Sequence, residues 1–482
     1  MYLYTNYVSV YYVINLILAI VIIFFERKKP TSTLAWLMIL YFVPVLGFFI
    51  YLIFGQNLSK RKIFHYKKIE KKFLDLILNM QLKDLEERKL RFKDSIAYDY
   101  KDMIYMHIKN SASEVTMNNS IKLYTKGEEK FTDLFQDIRK AKKHIHLEYY
   151  IVKNDELGKQ LMSLLIEKAK EGVEVRFLMD AFGSRFMIRS KKVKELKAVG
   201  GKVGVFFASK IPLINMKVNF RNHRKMVIID GKIGYIGGFN VGNEYLGLDE
   251  RMGNWRDNHL RIEGSAVDSL QLRFLLDWRT TNTEQVENFE SSFVFQEDKD
   301  GQTVQIVASG PDQEWEQIKY GYLKMINSAK ESIYIQTPYF VPDDSMLEAL
   351  KIAALSGIDV KIMIPDKPDH MFVYWATYSY LGEVINAGGK GYLYNNGFLH
   401  SKTIIVDGKI ASVGSANIDV RSFKLNFEAN AFVYDHDFAG ELRKEFDKDL
   451  EVSLLVDEKK YESRGRIIKI KESISRLLSP IL

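Results

Sequence analysis

The chain has 482 residues, of which 47% are hydrophobic and 27% are charged, and its net charge is +8. This length and composition exclude a disordered protein and a single small domain, and they predict two or more folded domains. The chain has no cysteine, which excludes disulfide frameworks and thiolate metal sites, while its positive charge favours an anionic partner, either nucleic acid or acidic lipid.

Two uncharged, apolar runs open the chain, at residues 7–25 and 30–59. Because a helix rises about 1.5 Å per residue, each run is long enough to cross a hydrocarbon core of about 30 Å. Residues 1–59 are therefore predicted to form a transmembrane hairpin, with spans at about 7–25 and 33–55. No basic residue precedes the first run, which disfavours a cleavable signal peptide. A proline and a glycine in the second run leave a bent or partly re-entrant segment open.

Basic residues beside these runs predict the orientation of the hairpin. Three lie in the turn between the runs and seven in the segment that follows: Arg27, Lys28 and Lys29, then Lys60, Arg61, Lys62, Lys67, Lys68, Lys71 and Lys72. The larger cluster places the C-terminal part in the cytoplasm. Residues 60–110 would form a basic linker or helix, lying against the anionic inner leaflet or simply solvated. The expected location is the cytoplasmic membrane, crossed more than once, with the catalytic part on the cytoplasmic side.

An internal repeat organises the rest of the chain. Residues 141–180 and 329–366 share one order of elements: a helix end, a short apolar strand, an amphipathic helix, a glycine and a second apolar strand. Strands that alternate with helices in this way predict βαβ units and a mostly parallel sheet covered on both faces. We expect two α/β domains related by a pseudo-twofold axis, at residues 111–290 and 291–460.

Each half closes with the same motif, His-x-Lys-x-x-x-x-Asp. The two copies consist of His223, Lys225 and Asp230 in the first half, and of His400, Lys402 and Asp407 in the second. A glycine follows each aspartate after seven residues and an asparagine after ten, namely Gly237 and Asn240, and Gly414 and Asn417. One such match arises by chance in a lysine-rich chain, but two matches with the same downstream residues inside a repeat do not.

The spacing of the motif indicates phosphate chemistry. Histidine and lysine two residues apart on a strand project from the same face. Two such pairs facing each other would surround one phosphodiester with two imidazoles and two ammonium groups. One histidine can attack phosphorus while the other protonates the leaving alkoxide, after which it acts as a base. Five further residues are expected to contact the substrate, the asparagines as neutral donors and the glycines by letting the backbone approach closely: Asn240, Asn417, Gly237, Gly414 and Ser415.

Each catalytic histidine needs a partner that fixes its second ring nitrogen. Asp230 and Asp407 end a strand and are better placed to brace the turn that follows. Asp257 and Glu428 lie 34 and 28 residues after the histidines of their own halves, and we expect them to orient these rings.

Two histidines, a glutamate and an apolar segment outside the motifs are interpreted as parts of the cleft. His144 and His146 lack a third ligand at suitable spacing, so they are interpreted as strand residues that line or brace the cleft, not as a metal site. Glu148 is a candidate contact to a polar headgroup. The apolar segment at residues 206–220, just before His223, is expected to form a wall that keeps water from the site.

The last segment, residues 461–482, is predicted to be a basic amphipathic helix. Its apolar positions recur at helical spacing among basic ones: Ile467, Ile470, Ile474, Leu477, Leu478 and Ile481, with Arg464, Arg466, Lys469, Lys471 and Arg476. This pattern is typical of a helix that lies in a membrane interface, and equally of a terminal helix docked on its domain.

Taken together, these residues resemble the phospholipase D superfamily and, within it, the bacterial cardiolipin synthases. The likeness covers nearly the whole chain: the apolar hairpin, residues 146–150, both motifs, residues 253–257 and residues 336–342. Gly238, where the second half has Ser415, is a small variation. The resemblance implies two phospholipase D-like α/β domains and transfer of a phosphatidyl group between two phosphatidylglycerol molecules, giving cardiolipin and glycerol.

By the same resemblance, His223 would form a phosphohistidine and His400 would act as acid and then base. No cofactor, metal or nucleic acid is expected, because two lysines supply the positive charge. The expected partners are phosphatidylglycerol and anionic membrane lipid. Rival functions are a phospholipase D-type hydrolase, another phosphatidyltransferase such as a phosphatidylserine synthase, a superfamily nuclease, and a catalytically silent membrane scaffold. Two membrane spans disfavour the nuclease, and intact histidines and lysines in both halves disfavour the scaffold.

Overall fold

The structure is a computed structural model that describes residues 2–26, 30–55, 68–208, 219–281, 292–294 and 300–479. The chain divides into two compact units. The first consists of Met1–Lys62, Phe207–Phe220 and Pro311–Glu314, and the second of Ile63–Phe206, Arg221–Gly310 and Trp315–Leu482. Both halves of the repeat therefore belong to the second unit. The predicted basic turn at 27–29, much of the basic cluster at 60–72 and most of the predicted wall at 206–220 lie outside the described residues.

The N-terminal apolar runs form three helices: α1 (Tyr2–Val21), α2 (Pro30–Phe42) and α3 (Pro44–Phe54), with a π-helical turn at Ile22–Glu26 after α1. The predicted second span, 33–55, is not one helix. It breaks at Val43 (φ −130°, ψ 66°), because the following proline ring disfavours helical backbone at the residue before it. Within the residues that the structure describes, no single helix is both long and apolar enough to cross a bilayer, so the predicted pair of spans is not found there.

The three N-terminal helices pack against one another. The Asn15 amide donates a hydrogen bond to the Leu40 carbonyl at 3.0 Å, which joins α1 to α2. The rings of Trp36 and Tyr51 meet edge to face at 5.2 Å between centroids, which joins α2 to α3. Ile22, Leu40 and Tyr51 are buried at the centre of this cluster.

The first half of the second unit contains seven helices and eight strands among the described residues. The helices are α4 (Lys68–Glu86), α5 (Lys101–Ser111), α6 (Gly127–Lys140), α7 (Glu156–Lys170), α8 (Arg185–Ile188), α9 (Lys191–Ala198) and α10 (Ala266–Arg279), with 3₁₀ turns at Ser95–Tyr98 and Asn243–Leu246. The strands are β1 (Val115–Lys126), β2 (His144–Tyr149), β3 (Glu174–Asp180), β4 (Lys202–Phe206), β5 (Arg221–Asn222), β6 (Lys225–Ile229), β7 (Ile233–Gly237) and β8 (Trp255–Glu263).

The second half repeats this order and extends it. Its helices in the described segments are α11 (Gln317–Ser328), α12 (Asp344–Leu355), α13 (Met371–Asn386), α14 (Val420–Lys424), α15 (His436–Glu451), α16 (Glu458–Glu462) and α17 (Arg466–Leu477). Its strands are β9 (Gln302–Ser309), β10 (Ser332–Gln336), β11 (Phe340–Val341), β12 (Asp359–Pro365), β13 (Lys390–Tyr394), β14 (Phe398–Leu399), β15 (Thr403–Val406), β16 (Ile410–Gly414), β17 (Ile418–Asp419), β18 (Asn426–Tyr434) and β19 (Ser453–Val456).

The two halves build equivalent mixed sheets. In the first, β4, β3 and β2 are parallel, and β6, β7, β8 and β1 continue the sheet in antiparallel order. In the second, β13, β12 and β10 are parallel, β15, β16, β18 and β9 continue in antiparallel order, and β19 adds an antiparallel edge beside β13. Two α/β domains with the expected repeat are thus confirmed. The expectation of a mostly parallel sheet is wrong, because the strands that carry the motifs run in antiparallel hairpins.

Helices cover both faces of each sheet. In the first half, Leu134 of α6 and Leu161 of α7 pack with Leu147 of β2 in one buried cluster. On the opposite face, Phe274 of α10 stacks on His146 at 4.6 Å between centroids. Alternate residues of β2 therefore face different helices, as the pleat of a strand requires.

Two very short strands cross between the halves. β5 of the first half pairs in parallel with β18 of the second, and β14 of the second half pairs in parallel with β8 of the first. Each of these strands is followed directly by a motif histidine. The backbone before each histidine is therefore held by the opposite half.

Candidate active site

The crossing strands fix the backbone of both motif histidines. The N–H of His223 donates to the Phe427 carbonyl at 2.9 Å, and the N–H of His400 donates to the Arg256 carbonyl at 2.7 Å. Each acceptor is the residue immediately before a carboxylate, Glu428 or Asp257. Each motif histidine thus lies beside the strand of the opposite half that carries a carboxylate.

The carboxylates pair with the histidines across the two halves. The Nδ1 atom of His223 lies 2.9 Å from Oε1 and 3.0 Å from Oε2 of Glu428. The Nδ1 atom of His400 lies 2.6 Å from Oδ2 of Asp257. The expectation that each carboxylate orients the histidine of its own half is wrong, because β5 and β14 exchange the histidines between the halves.

Both histidines are largely buried, with 12% and 11% of the side chains of His223 and His400 exposed. Burial, reinforced by the charge of Lys402 and opposed by Asp257, lowers the pKa of His400 to about 4. Burial also lowers the pKa of His223, although Glu428 opposes the shift. At neutral pH both rings are therefore neutral, and a neutral ring suits a nucleophile or a base.

The two lysines are buried, and each donates to the backbone of its motif histidine. Lys225 Nζ lies 2.5 Å from the His223 carbonyl, and Lys402 Nζ donates to the His400 carbonyl. Burial lowers the pKa of Lys225 to about 7 and that of Lys402 to about 8, against the raising influence of Glu428 and Asp257. The charge of each lysine acts on the histidine of the opposite half. A phosphate bound between them would stabilise both ammonium forms.

The motif aspartates do not touch the histidines. Asp230 accepts backbone hydrogen bonds from Lys142, Lys143 and His144 at 2.7–3.0 Å. Asp407 accepts the equivalent bonds at 2.8–2.9 Å in the second half, from Lys330, Glu331 and Ser332. Their bracing contact is thus with the segment that enters the first strand of each repeat, and not with the following turn as expected. Both have positive φ, 55° and 54°, which aspartate tolerates better than most residues.

The two motif asparagines are engaged within the protein. Asn240 Oδ1 accepts from the Ile151 N–H at 3.1 Å, and its Nδ2 donates to the Tyr245 hydroxyl at 3.0 Å. Asn417 Nδ2 lies 3.2 Å from an Asp419 carboxylate oxygen. These contacts place the asparagines as supports of the loops after β7 and β16, and each Nδ2 uses one of its two N–H donors in them.

The glycines after the motifs allow close packing of neighbouring strands. A Cβ at Gly237 would lie 2.5 Å from His259 Cα, and one at Gly414 would lie 2.5 Å from the Ala429 carbonyl oxygen. The close approach is therefore to strands β8 and β18 rather than to a substrate.

The next positions, Gly238 and Ser415, differ in what they offer the orienting carboxylates. The Ser415 hydroxyl donates to Glu428 Oε2 at 2.5 Å. A Cβ at Gly238 would lie 2.0 Å from Asp257 Oδ1, so the Asp257 carboxylate occupies the space that a side chain would need. Ser415 was expected to contact the substrate directly. Its hydrogen bond instead indicates that it supports Glu428, which orients His223.

Glu148, a candidate headgroup contact, lies among protein groups. It is fully buried, and Asn222 Nδ2, next to His223 in sequence, lies 2.5 Å from its Oε1. Burial, with the nearby Asp277 carboxylate, raises the pKa of Glu148 well above its usual range. Glu148 therefore supports the backbone beneath His223. His144 and His146 brace the same strand against α10, where Gln271 lies 3.0 Å from the His144 ring.

Arg224, between the motif histidine and lysine, was not singled out from the sequence. Its guanidinium contacts both oxygens of Asp277 at 2.7 Å and donates to the Ser309 and Glu428 carbonyls. It thereby ties α10 of the first half to β9 and β18 of the second. An arginine inside the motif was the available signal, but only the fold shows which partners it reaches.

Aromatic side chains surround both histidines. Tyr150 lies 5.0 Å from the His223 ring, and Trp255 lies 5.1 Å from the His400 ring. Tyr245 and Phe398 lie farther out beside His400, at 6.5 Å and 6.1 Å. The pair of imidazoles and the pair of lysines are thus framed by apolar rings, which strengthens charge interactions with a bound anion. In the described part of the chain, no three His, Asp or Glu side chains form a group that could hold a metal ion.

Comparison with known proteins agrees with this arrangement. The sequence matches the family described as cardiolipin synthase, PLD-like domain, over residues 134–265 and 322–450, and the phospholipase D-nuclease N-terminal family over residues 13–56. It is 54% identical to the major cardiolipin synthase ClsA of Bacillus subtilis over 475 residues, which cover 98% of each chain. It is 53% identical to a cardiolipin synthase of Oceanobacillus iheyensis over 472 residues, again 98% of each chain.

Among solved structures, the phosphatidylserine synthase of Haemophilus influenzae superposes with a TM-score of 0.61 and 14% identity, covering 79% of this chain and 100% of that one. At this identity the superposition shows a shared fold. The identity of more than half of the residues over nearly the full length of these relatives, and the match of both halves to the family, confirm the resemblance drawn from the motifs. The chain belongs to the bacterial cardiolipin synthases of the phospholipase D superfamily.

Proposed function

We propose that the protein is a phosphatidyltransferase that converts two phosphatidylglycerol molecules to cardiolipin and glycerol. The observation that carries the proposal is the crossed arrangement of one site, in which His223 is held by Glu428 and His400 by Asp257. Two imidazoles, each oriented by a carboxylate and flanked by a lysine, suit two successive displacements at one phosphorus, in which His223 attacks as a neutral ring and His400 takes up a proton before it acts as an acid.

In the first displacement, His223 Nε2 attacks the phosphorus of phosphatidylglycerol. The bond from phosphorus to the headgroup glycerol breaks, and His400, having taken up a proton, gives it to the departing glycerol oxygen. Glu428 stabilises the positive charge that develops on the His223 ring. Lys225 and Lys402 neutralise the charge on the non-bridging oxygens as phosphorus becomes five-coordinate.

In the second displacement, the free headgroup hydroxyl of another phosphatidylglycerol attacks the phosphohistidine. His400 removes the hydroxyl proton as the new phosphorus–oxygen bond forms, and His223 leaves as a neutral ring. Asp257 holds the imidazolium that forms on His400. One phosphodiester replaces another, so the sum of the two steps needs no nucleotide.

Water is the competing acceptor, and it would give phosphatidic acid. The aromatic frame of Tyr150 and Trp255 around the two rings supports the choice of a lipid hydroxyl, because it limits the water near the phosphohistidine.

The roles of the two histidines can be tested with a phosphatidyl donor whose leaving group needs no proton from a general acid. In phosphatidyl-p-nitrophenol the leaving group departs unprotonated, so His223 alone can form the intermediate. With the phosphatidyl group labelled, His400→Ala should accumulate acid-labile label on the protein, and His223→Ala should not. Label on His223→Ala and none on His400→Ala would exchange the assigned roles, and label on neither would contradict a phosphohistidine.

We also propose that the N-terminal unit holds the chain at the cytoplasmic membrane, with the catalytic unit on the cytoplasmic side. The apolar composition of α1, α2 and α3 and the match to the N-terminal family support this. Because the chain has no cysteine, single cysteines give a clean test. A membrane-impermeant maleimide should label Lys459→Cys only in inside-out vesicles and Lys28→Cys only from the outer side. Labelling of Lys459→Cys from outside intact cells would contradict the orientation.

A further inference from the structure

The C-terminal helix α17 is docked with its polar side inward. Glu472 and Ser475 are buried, at 3% and 1% exposure. Glu472 is held by Arg464, whose Nε lies 2.9 Å from its Oε1. The apolar side faces outward instead, in a stripe formed by Ile467, Ile470, Ile474 and Leu477, which are 70%, 59%, 52% and 81% exposed. An amphipathic helix that serves only to cover its own domain would bury this stripe.

Contacts with α13 fix the direction of this helix. Lys471 Nζ lies 5.1 Å from the centre of the Trp375 ring, and the Arg476 guanidinium lies 4.5 Å from that of Tyr380. These pairs occur in the same order along both helices, so α17 runs parallel to α13. The beginning of α17 therefore lies towards the beginning of α13.

The beginning of α13 is also apolar and exposed, and it lies near the active site. Met371 and Phe372 are 52% and 55% exposed. They follow Asp369, which accepts a hydrogen bond from Tyr339 and whose charge acts on Lys402. The apolar stripe of α17 thus points along α13 towards the loop that borders the catalytic lysine.

The charges beside the stripe identify what covers it. Arg466, Lys469, Lys471 and Arg476 flank the apolar residues, and the acidic residue of the helix, Glu472, is buried and paired. Arg476 also pairs with Glu383, and Lys469 lies 3.9 Å from Glu462, so Arg466 and Lys471 carry most of the basic character beside the stripe. In a symmetric dimer formed through this stripe, these basic residues would face their own copies. An anionic lipid surface instead offers an apolar layer beneath negative headgroups, which matches both parts of the pattern.

We propose that α17 and the start of α13 form an interfacial surface that lies in the anionic face of the bilayer and turns the mouth of the active site towards its lipid substrate. The proposal rests on the proposed function for the identity of that substrate. The occupant of the surface is the membrane itself, with the isoleucine stripe at the level of the upper acyl chains and the basic flanks at the headgroups.

The test measures the depth of the helix rather than binding of the whole chain, because the N-terminal unit is expected to hold the protein at the membrane in any case. Ile470→Cys and Leu477→Cys are labelled with an environment-sensitive NBD fluorophore in the otherwise cysteine-free, full-length protein. Leu355→Cys, at a residue 73% exposed on α12, is the matched control. Each is reconstituted into vesicles of phosphatidylglycerol with phosphatidylcholine, and into vesicles of phosphatidylcholine alone.

With phosphatidylglycerol present, the emission at positions 470 and 477 should shift to the blue and be quenched by lipids brominated on the upper acyl chain. The label at 355 should stay in water, and high salt should reduce the shift at 470. Labels at 470 and 477 that behave like the control would overturn the proposal. A blue shift that depends on protein concentration and resists brominated lipid would also overturn it, since a second copy would then cover the stripe.

Turnover of the same samples separates this proposal from the proposed function. Cardiolipin formation with the labels in water would reject the interfacial surface and leave the activity standing. Buried labels without cardiolipin would reject the activity and leave the surface. In addition, Ile470→Glu with Ile474→Glu should lose turnover on vesicles but keep it on phosphatidylglycerol dispersed in detergent. Ile352→Glu with Leu355→Glu, on α12, should keep both, and equal loss in the two pairs would count against a specific role of α17.

Discussion

The Nδ1 atom of His400 lies 2.6 Å from Oδ2 of Asp257, a residue of the other half of the repeat. In the reciprocal pair, the Nδ1 atom of His223 lies 2.9 Å from Oε1 of Glu428, a residue of the second half. Neither half can therefore orient its own histidine. The catalytic machinery that we propose becomes complete only when the two halves are joined through β5 and β14, which makes it one composite site and not two.

The crossed pairs predict that the two carboxylates support different steps. With phosphatidylglycerol, Asp257→Asn and Glu428→Gln should each lower kcat by about 10²–10⁴-fold, as loss of an orienting carboxylate does in other histidine-based sites. With phosphatidyl-p-nitrophenol, Asp257→Asn should keep the burst of p-nitrophenol because this donor needs no acid from His400. Glu428→Gln should lose the burst because it disturbs the nucleophile.

Rapid-mixing kinetics on folded protein measure both bursts. His400→Ala is the control for Asp257→Asn, and His223→Ala is the control for Glu428→Gln. A burst that survives in Glu428→Gln and disappears in Asp257→Asn would mean that the carboxylates serve the histidines of their own halves, against the distances in the structure.

Gly238 and Ser415 occupy equivalent positions, but their substitution should have unequal effects. Gly238→Ala should reduce kcat nearly as far as Asp257→Asn, because the new Cβ would meet the Asp257 carboxylate at 2.0 Å and displace it. Ser415→Ala removes one hydrogen bond to a charged carboxylate, a loss of about 1.5–3 kcal/mol, or roughly 10–100-fold in kcat if it is fully expressed in the transition state. Steady-state kinetics would contradict this account if Gly238→Ala were the milder change.

The buried lysines predict an alkaline limit. Lys225 and Lys402 have pKa values of about 7 and about 8, so as the pH rises through these values the site loses positive charge. Because kcat/KM reports the free enzyme, it should begin to fall above about pH 7, as Lys225 loses its proton, and fall more steeply above about pH 8, as Lys402 does. The limit on kcat should lie at higher pH, since bound phosphate stabilises both ammonium groups.

Profiles of kcat/KM and kcat against pH measure this difference directly. Lys402→Arg, whose guanidinium stays charged, should be less active but should show a weaker alkaline fall in kcat/KM. Identical alkaline limits in both parameters would contradict a phosphate bound between the two lysines.

The motif aspartates should affect stability and not chemistry. Asp230→Asn keeps an acceptor and tolerates the positive φ, but it replaces one carboxylate oxygen that accepts a backbone N–H with an amide donor. The expected cost is about 1–3 kcal/mol of unfolding free energy, because a backbone donor loses its partner. Thermal denaturation should show a lower Tm, while the turnover of the protein that remains folded is preserved. Lost turnover at an unchanged Tm would assign Asp230 a direct role.

Local patterns predicted the repeat, the motif strands and the lysine–histidine pairs, because each depends on spacing within a few residues. The apolar runs at residues 145–151, 173–179 and 358–364 predict strands that agree with β2, β3 and β12 to within two residues, whereas the run at 333–341 is divided between β10 and β11. The identity of both orienting carboxylates also came from their equivalent places in the two halves.

Their pairing could not be predicted in this way. It depends on two-residue strands whose partners lie in the opposite half, more than two hundred residues away for β5 and β18. The parallel sheet was overestimated for a different reason: the Asp-Gly-Lys turns at residues 230–232 and 407–409 are a local signal for antiparallel hairpins, and the strand–helix alternation was given more weight. Glu148 was predicted to contact a headgroup from its place on β2. Alternation along a strand shows which residues share a face, but it does not show that α10 covers the face with Glu148.

Phosphatidylglycerol vesicles containing the purified full-length protein, without nucleotide or added metal, test the central claim most directly. Lipid and headgroup products are measured together over time. The proposed phosphatidyl transfer predicts cardiolipin and glycerol in equal amounts, with both lost in His223→Ala and His400→Ala. Phosphatidic acid with glycerol and no cardiolipin would identify a hydrolase and contradict it, as would cleavage of DNA by a protein that leaves phosphatidylglycerol intact.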